Sequence, residues 1–165
     1  SGLSSMSNKC TLFSRWLHTL ESRRNDAAVI DLQTGEVWSF AEIETLLADK
    51  PSYDAPIIAQ SSGIELIIKT LWAWREKVPL FPLEPNVSFA LEDLKGLPED
   101  VAHIKHTSGT TGTPRLVLFS DGQLQADADQ IVASMCLGQY ECYICVISPV
   151  HSYGFTNLVL PLLLY

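Results

Sequence analysis

The first third of the chain carries one helical pattern followed by two extended ones. Five large apolar residues fall on one side of a helix predicted over residues 11–22: Leu12, Phe13, Trp16, Leu17 and Leu20. Two short apolar runs then occupy residues 27–32 and 37–40, with the turn residues Thr34 and Gly35 between them. This arrangement predicts a β-hairpin directly behind the first helix.

Two later helices are predicted to begin at capping boxes, in which a Ser and a Glu or Gln three residues later bond each other's backbone N–H groups. Ser39 and Glu42 have this spacing and precede three apolar residues at helical positions: Ile43, Leu46 and Leu47. Ser120 and Gln123 have the same spacing, and the helix behind them is expected to end near Gly138. Its core side is predicted to consist of Leu124, Ala128, Ile131, Val132 and Met135.

Short apolar runs separate these helices and predict strands. Residues 55–59 and 78–83 have the length and composition of buried strands, on either side of a helix over residues 64–74. The core side of that helix is expected to contain Leu66, Ile67, Leu71 and Trp74. Another buried strand is predicted over residues 143–148. The alternation predicts an α/β fold in which one or more layered sheets are flanked by helices.

The composition is that of one globular domain with an acidic surface. A chain of 165 residues, 47% of them hydrophobic, is long enough for a sizeable core. Its net charge of −8 argues against nucleic acid as a partner, because binding to the phosphate backbone requires clustered Lys and Arg. No apolar run reaches the length of a membrane span, and the first nine residues lack the apolar segment of a signal peptide.

Four cysteines, at positions 10, 136, 142 and 145, raise the question of a metal site or a redox pair. On the strand predicted over residues 143–148 and its flank, Cys142 and Cys145 would point to opposite faces, which is a poor geometry for either. We therefore expect buried free thiols and a reducing, cytoplasmic environment.

The stretch from His106 to Ser120 carries the clearest chemical signal. Between Thr107 and Gly112 no residue is larger than threonine, so backbone N–H groups can approach an anion closely. The hydroxyl groups of this segment add uncharged donors, and they belong to Thr107, Ser108, Thr110 and Thr111. Arg115 adds a fork of donors suited to phosphate oxygens. This composition is typical of a loop that binds a polyphosphate.

The loop differs from the P-loop of common NTPases. Gly109 and Gly112 enclose two residues rather than four, and no Gly-Lys-Ser/Thr opening a helix follows them. Residues 102–105 before the loop and 116–119 behind it favour strands. The pattern therefore predicts a glycine-rich connection between two strands. A Ser/Thr/Gly linker is the alternative, although linkers seldom lie between two apolar strands with Pro-Arg at the exit.

Thr107 to Arg115 resembles the phosphate loop of the adenylate-forming enzymes, which include acyl-CoA synthetases, the adenylation domains of peptide synthetases, and luciferases. Their loop usually reads T-S-G-(S/T)-T-G-x-P-K-G. This chain matches it through Pro114, and it then has Arg115 for the usual lysine and Leu116 for the common glycine. The arginine keeps the charge but changes its geometry.

A second segment supports the same resemblance. Residues 149–155 read P-V-H-S-Y-G-F and resemble the P-x-x-H-x-x-G segment of the same enzymes, with one residue instead of two between the proline and the histidine. In that superfamily the histidine or aromatic residue at this place lies beside the acyl carboxylate. The resemblance therefore implies that His151 is the catalytic-site residue that lines the carboxylate pocket.

The resemblance implies a two-step ligase that uses ATP and Mg²⁺. A carboxylic acid would become an acyl-adenylate with release of pyrophosphate, and the acyl group would pass to the thiol of CoA or of a carrier protein's phosphopantetheine. The pyrophosphate half of ATP is expected to bind at the loop, by seven residues: Thr107, Ser108, Gly109, Thr110, Thr111, Gly112 and Arg115. No metal ligand is predicted in this chain.

The ends of the chain suggest an incomplete domain. Residues 1–10 are expected to be a disordered start or appended residues, and residues 11–165 the amino-terminal portion of an AMP-binding domain. Residues 155–165 are nearly all apolar, and we expect a helix whose packing partners lie beyond this chain, which would leave an exposed apolar patch. A fragment of this kind is predicted to be inactive alone.

A binding module is the alternative to an enzyme fragment. The chain would then be a nucleotide-binding half that acts with a partner chain, or a degenerate relative that binds without turnover. The reading frame after Tyr165 discriminates between the two hypotheses, because a continuing adenylate-forming core supports the enzyme and a stop codon supports the module.

Overall fold

The computed structural model describes residues 10–107, 115–142, 144–145, 149 and 154–165. The first helix, α1, spans Leu12–Arg23, and Thr11 and Ser14 form a capping box at its start. Its buried apolar residues are Leu12, Trp16 and Leu20, while Leu17 is 43% exposed, so the apolar side is narrower than the spacing predicts. The Asp121 carboxylate accepts a hydrogen bond from the Leu12 N–H at 3.0 Å, which ties this helix start to the second half of the chain.

The predicted hairpin and the helix behind it are confirmed. Strands β1 (Ala27–Ile30) and β2 (Val37–Ser39) pair antiparallel and form a small separate sheet. Helix α2 spans Phe40–Ala48, and Ser39 and Glu42 form the predicted capping box. Ile43 and Leu47 are buried as predicted, whereas Leu46 is 39% exposed because it faces away from the core.

Four strands form the main sheet, in the order β3-β4-β5-β6. They span Ile57–Ala59, Leu80–Pro82, Val101–Thr107 and Arg115–Ser120. The first three run parallel, and helix α3 (Gly63–Glu76) connects β3 to β4. Strand β6 runs antiparallel to β5. The sheet is therefore mixed. Strands β3 and β4 are shorter than the predicted apolar runs 55–59 and 78–83, whereas β5 is longer than the predicted run 102–105.

The two faces of the sheet are covered differently. One face packs against the helices, and this larger core includes buried side chains from every helix longer than one turn. The opposite face packs against the connection between β4 and β5, which contains the short 3₁₀ turn Leu91–Leu94 and contributes Leu83 and Leu94. The α/β class with helices flanking a sheet is confirmed.

Helix α4 (Asp121–Ser134) begins at the predicted capping box of Ser120 and Gln123. Leu124 and Ala128 are buried in the core. The helix ends earlier than the sequence predicts, so Met135 lies behind its last residue and is 46% exposed instead of buried. A 3₁₀ turn, Leu137–Gln139, follows it.

The prediction of an uncovered apolar end is wrong. The chain closes with a π-helical turn, Phe155–Val159, and helix α5, Leu160–Leu164. These elements contact α1 and α4. Their large side chains join the main core, and those buried are Phe155, Val159, Leu160, Leu163 and Leu164. The partners that the sequence analysis placed beyond the chain are therefore present within it.

Two further predictions about burial are wrong. All four cysteines are exposed, because Cys10 precedes α1 and the other three follow α4, outside the packed layers. Ile144 is 68% exposed, and neither it nor Cys145 belongs to a strand. The remaining positions of the strand predicted over residues 143–148 lie outside the described residues. Across the residues that the structure describes, no helix has the length and apolar character needed to cross a bilayer.

Candidate functional site

The glycine-rich segment joins two antiparallel strands, as the sequence predicts. Thr107 ends β5 and Arg115 begins β6, and these two residues are direct partners across the ladder. The Thr107 hydroxyl also donates a hydrogen bond to the backbone carbonyl of Arg115 at 3.2 Å. Both ends of the segment are therefore held together by the sheet. Ser108, Gly109, Thr110, Thr111 and Gly112 lie outside the described residues.

Alternation along β5 and β6 places six side chains on the face that the helices cover. In an antiparallel pair, directly opposed residues share a face, and so do residues two apart along a strand. The opposed pairs on this face are His103 with Phe119, Lys105 with Val117, and Thr107 with Arg115. His103 and Phe119 are packed in the core, whereas Thr107 and Arg115 are more accessible. Exposure on this face therefore increases from the core towards the loop.

His103 is the most deeply buried ionisable group of this face, with 5% of its surface exposed. Its ring lies 6.1 Å from that of Phe119 and 4.4 Å from that of Phe155, between centroids. Burial, with a smaller effect of the positive charge of Lys105, lowers the pKa of His103 to about 3. The imidazole is therefore neutral at physiological pH, and no described residue bonds its Nδ1 atom. His103 is not among the site residues predicted from the sequence, although a histidine inside a β-favouring run is a usable signal.

The contact between His103 and Phe155 connects the two segments that carry the resemblance. His103 precedes Thr107 by four positions on the same strand, and Phe155 directly follows the P-x-x-H-x-x-G segment. Gly154, the last residue of that segment, is buried at the start of the terminal helix. His151 itself lies outside the described residues. The described parts that border both segments therefore meet on one face of the sheet.

On the opposite face of β5, His106 belongs to an aromatic cluster near the end of the strand that leads into the loop. His106 lies 6.4 Å from Phe89, and Phe89 lies 5.0 Å from Phe81, between ring centroids. Gln60 follows β3 and donates to the carbonyl oxygens of Glu84 and Val87, which fixes the loop that carries this cluster. His106 therefore contributes to packing on the side away from Lys105, Thr107 and Arg115.

Positive charge is uncompensated on the helix-covered face near the loop. Lys105 is half-buried and Arg115 is exposed. All 19 Asp and Glu residues of the chain lie within the described ranges, and none of them forms an ion pair with either cation. In the described part of the chain, no group of three His, Cys, Asp or Glu side chains is placed to hold a metal ion. The arrangement therefore favours an anionic ligand.

Comparisons with known proteins identify the family and the fold of the chain. The sequence profile of the family described as "AMP-binding enzyme" matches residues 39–164. The ATP-bound crystal structure of MatB from Rhodopseudomonas palustris superposes with a TM-score of 0.70 at 18% identity, over 93% of this chain and 43% of that one. No curated protein matched the sequence.

Two further solved structures show the same fold. The o-succinylbenzoate CoA synthetase MenE from Bacillus subtilis, in complex with the acyl-adenylate intermediate, superposes with a TM-score of 0.66 at 14% identity, over 91% of this chain and 53% of that one. The fatty acyl-adenylate ligase from L. pneumophila, in complex with acyl adenylate and pyrophosphate, superposes with a TM-score of 0.67 at 14% identity, over 93% of this chain and 38% of that one. This chain thus spans about half or less of the length of each structure. Because the family profile covers most of its residues, the chain belongs to the family of AMP-binding, adenylate-forming enzymes.

Proposed function

We propose that this chain is the phosphate-binding portion of an AMP-forming ligase that activates a carboxylic acid with ATP. The contact between His103 and Phe155 carries the proposal, because it brings the strand before the glycine-rich loop against the helix behind the His151 segment. A loop for the phosphates and a segment for the carboxylate are both needed for acyl-adenylate formation, and they must lie close together. The ATP, AMP and acyl-adenylate complexes of the structures with this fold support the same chemistry.

The loop is proposed to hold the β- and γ-phosphates. Its backbone N–H groups and the hydroxyls of Ser108, Thr110 and Thr111 would donate to phosphate oxygens, while Gly109 and Gly112 allow close approach. The Thr107 hydroxyl donates to the Arg115 carbonyl in this structure and would turn from it to donate to a phosphate when ATP binds. Arg115 would supply charge from the first position of β6. The ladder pair of Thr107 and Arg115 supports this role, because it fixes both ends of the loop on a rigid sheet.

His151 is proposed to line the carboxylate pocket. It precedes Phe155 by four residues, and a fully extended chain of that length spans at most about 14 Å. Since Phe155 contacts His103, we expect His151 within reach of the same face that carries Lys105 and Thr107. It need not act as a base, because a carboxylic acid is already ionised at neutral pH.

The proposed reaction needs little covalent chemistry from the protein. A carboxylate oxygen of the acid attacks the α-phosphorus of ATP, the bond between the α-phosphorus and the bridging oxygen breaks, and pyrophosphate leaves with the electron pair. Negative charge grows on the leaving pyrophosphate, so preorganised N–H groups and Arg115 would stabilise the transition state more than the ground state. The thiol of CoA or of a phosphopantetheine arm would then attack the acyl carbon with loss of its proton, and AMP would leave as the bond between the acyl carbon and the phosphate oxygen breaks.

The remaining requirements are compatible with the described residues. Mg²⁺ would reach the site on the phosphates of ATP, where phosphate oxygens and water supply most of its ligands. Four exposed thiols fit the proposed reducing, cytoplasmic location. The rest of the enzyme, or a complementary chain, would contribute the adenine, ribose and acyl sites, so we propose that this chain alone does not turn over.

A non-catalytic nucleotide-binding half is the second candidate. Arg115 favours it, because an arginine stands where the superfamily usually has a lysine and binds phosphate with different geometry. Such a module would bind ATP with a partner chain and would show no turnover in any context.

Exchange kinetics on Arg115 variants test the proposal. In an active form that contains this chain, Arg115→Ala should lower the rate of acid-dependent ATP–pyrophosphate exchange by about ten- to a hundredfold, the effect of one charge-assisted contact. Arg115→Lys should recover much of the rate, and His151→Ala should raise the concentration of acid required. Lys95→Ala, which removes an exposed cation from the β4–β5 connection, is the matched control. Equal rates for wild type and Arg115→Ala would contradict the phosphate role.

A further inference from the structure

We propose that Lys105 is a second cationic anchor for the bound polyphosphate, acting together with Arg115. This inference rests on the proposed function of the glycine-rich loop. It adds a residue from inside β5, outside the loop itself, and it predicts a ligand that carries several negative charges in a row.

The strand register brings the two cations together. Lys105 is opposite Val117, and Thr107 is opposite Arg115, so Lys105 and Arg115 are diagonal neighbours on one face of the hairpin. Diagonal neighbours in an antiparallel pair are about 7–8 Å apart and within reach of long side chains. Thr107 lies between the loop and Lys105 on the same face, and its hydroxyl group donates to the Arg115 carbonyl, which fixes the position of Arg115 relative to Lys105.

Among the residues that the structure describes, no acidic side chain pairs with Lys105. The neighbours of Lys105 on this face are the apolar Val117 and the buried, neutral His103. The depressed pKa of His103, to which the charge of Lys105 contributes, agrees with an ammonium group close to the imidazole. Lys105 as a residue is half-buried, and holding its ammonium group over an apolar floor is unfavourable without a counter-charge. A bound anion would supply that charge, and the apolar floor would strengthen the attraction.

The pair of cations defines the class of ligand. One monovalent carboxylate cannot satisfy two positive charges several ångströms apart, whereas a diphosphate or triphosphate presents charged oxygens along its length. Arg115 is suited to bidentate contact with one phosphate group, and Lys105 supplies a compact charge to the next. The alternative is that the alkyl chain of Lys105 packs on Val117 while its ammonium group stays in water and binds no phosphate.

Binding of tripolyphosphate to the 165-residue chain, measured by titration calorimetry, tests the inference. Lys105→Met keeps the length of the side chain and removes the charge, and it should weaken binding about tenfold, as expected for a lost contact to a charged group. Lys105→Arg should bind nearly as well as wild type. Lys95→Met, which removes an exposed cation elsewhere, should leave the affinity unchanged.

A variant that adds a positive charge tests the same inference if Lys105→Met does not fold. Val117 is 39% exposed directly opposite Lys105, so Val117→Lys should tighten binding of tripolyphosphate several-fold, and Val117→Glu should weaken it. If Arg115→Ala weakens binding while the Lys105 and Val117 variants bind like wild type, this inference is overturned and the proposed function stands. If wild type does not bind tripolyphosphate or ATP, the proposed phosphate loop fails as well.

Discussion

The imidazole ring of His103 lies against the phenyl ring of Phe155, with 4.4 Å between the centroids and 37° between the ring planes. His103 belongs to strand β5 in the middle of the chain, and Phe155 opens the terminal helix. The contact therefore closes the main core between parts of the chain that are far apart in sequence. It also makes the free energy of unfolding depend on the protonation of the His103 imidazole.

We expect His103 to make the protein less stable in acid. Its pKa is lowered to about 3 in the folded state, so the unfolded state binds a proton more readily between that value and its ordinary pKa near 6.5. Stability is then fully present above about pH 6.5 and falls as the pH drops towards 3, by an amount on the order of a few kcal/mol. Lys105 is the charged neighbour that acts in the same direction.

Urea unfolding of wild type and His103→Phe at pH 7.5 and pH 5 measures this effect. The variant keeps an aromatic ring but cannot titrate, so its stability should fall less than that of wild type between the two pH values. His18→Gln removes an exposed histidine of α1 and should keep the pH dependence of wild type. Identical pH dependence in wild type and His103→Phe would contradict the prediction.

Truncation of Phe155 should destabilise the whole domain. Phe155 is 1% exposed and belongs to the main core, so Phe155→Ala should lower the free energy of unfolding by about 3–5 kcal/mol, the usual range for a buried phenylalanine. Leu162→Ala, at a half-buried position of α5, should cost clearly less. Equal and small effects in the two variants, measured by chemical denaturation, would show that the terminal helix does not pack as described.

A polar cluster should hold the last residue in place. The Asp129 carboxylate accepts hydrogen bonds from the Tyr165 hydroxyl and from the Arg15 guanidinium, and the Arg15 group also lies 5.0 Å from the centre of the Tyr165 ring. The hydrogen bond from Tyr165, followed by that from Arg15, holds the pKa of Asp129 below its ordinary value. Tyr165→Phe should therefore raise the pKa of Asp129, which an NMR titration of the carboxyl carbon would detect. An unchanged pKa in this variant would rule out the contact in solution.

The four cysteines should react with a thiol reagent in the folded protein. All of them are exposed, so a colourimetric reagent should modify four thiols without denaturant. Adding denaturant should then release no further reactive thiol. Fewer than four reactive groups under native conditions would support the burial that the sequence analysis predicted.

Features that depend on neighbours a few residues apart were predictable from the sequence. The capping boxes at Ser39 and Ser120 each need only a partner three residues later, and the structure contains both. The hairpin needs a turn between two β-favouring runs, and Asp31 accepts hydrogen bonds from the N–H groups of Gln33 and Thr34 in that turn. The glycine-rich connection between two strands was predictable for the same reason, because composition and flanking residues are local properties.

Features that depend on which distant elements meet were decided only by the tertiary structure. Nothing near Phe155 in sequence indicates that α1 and α4 cover the terminal helix, so the sequence alone predicts an exposed apolar patch there. The burial of His103 likewise requires Phe119 and Phe155 from other elements. Alternation within β5 specifies two faces, but only the register with β6 places Lys105 diagonally from Arg115. Local spacing determines helices, turns and loops, whereas the side on which each residue finds its contacts is fixed by long-range packing.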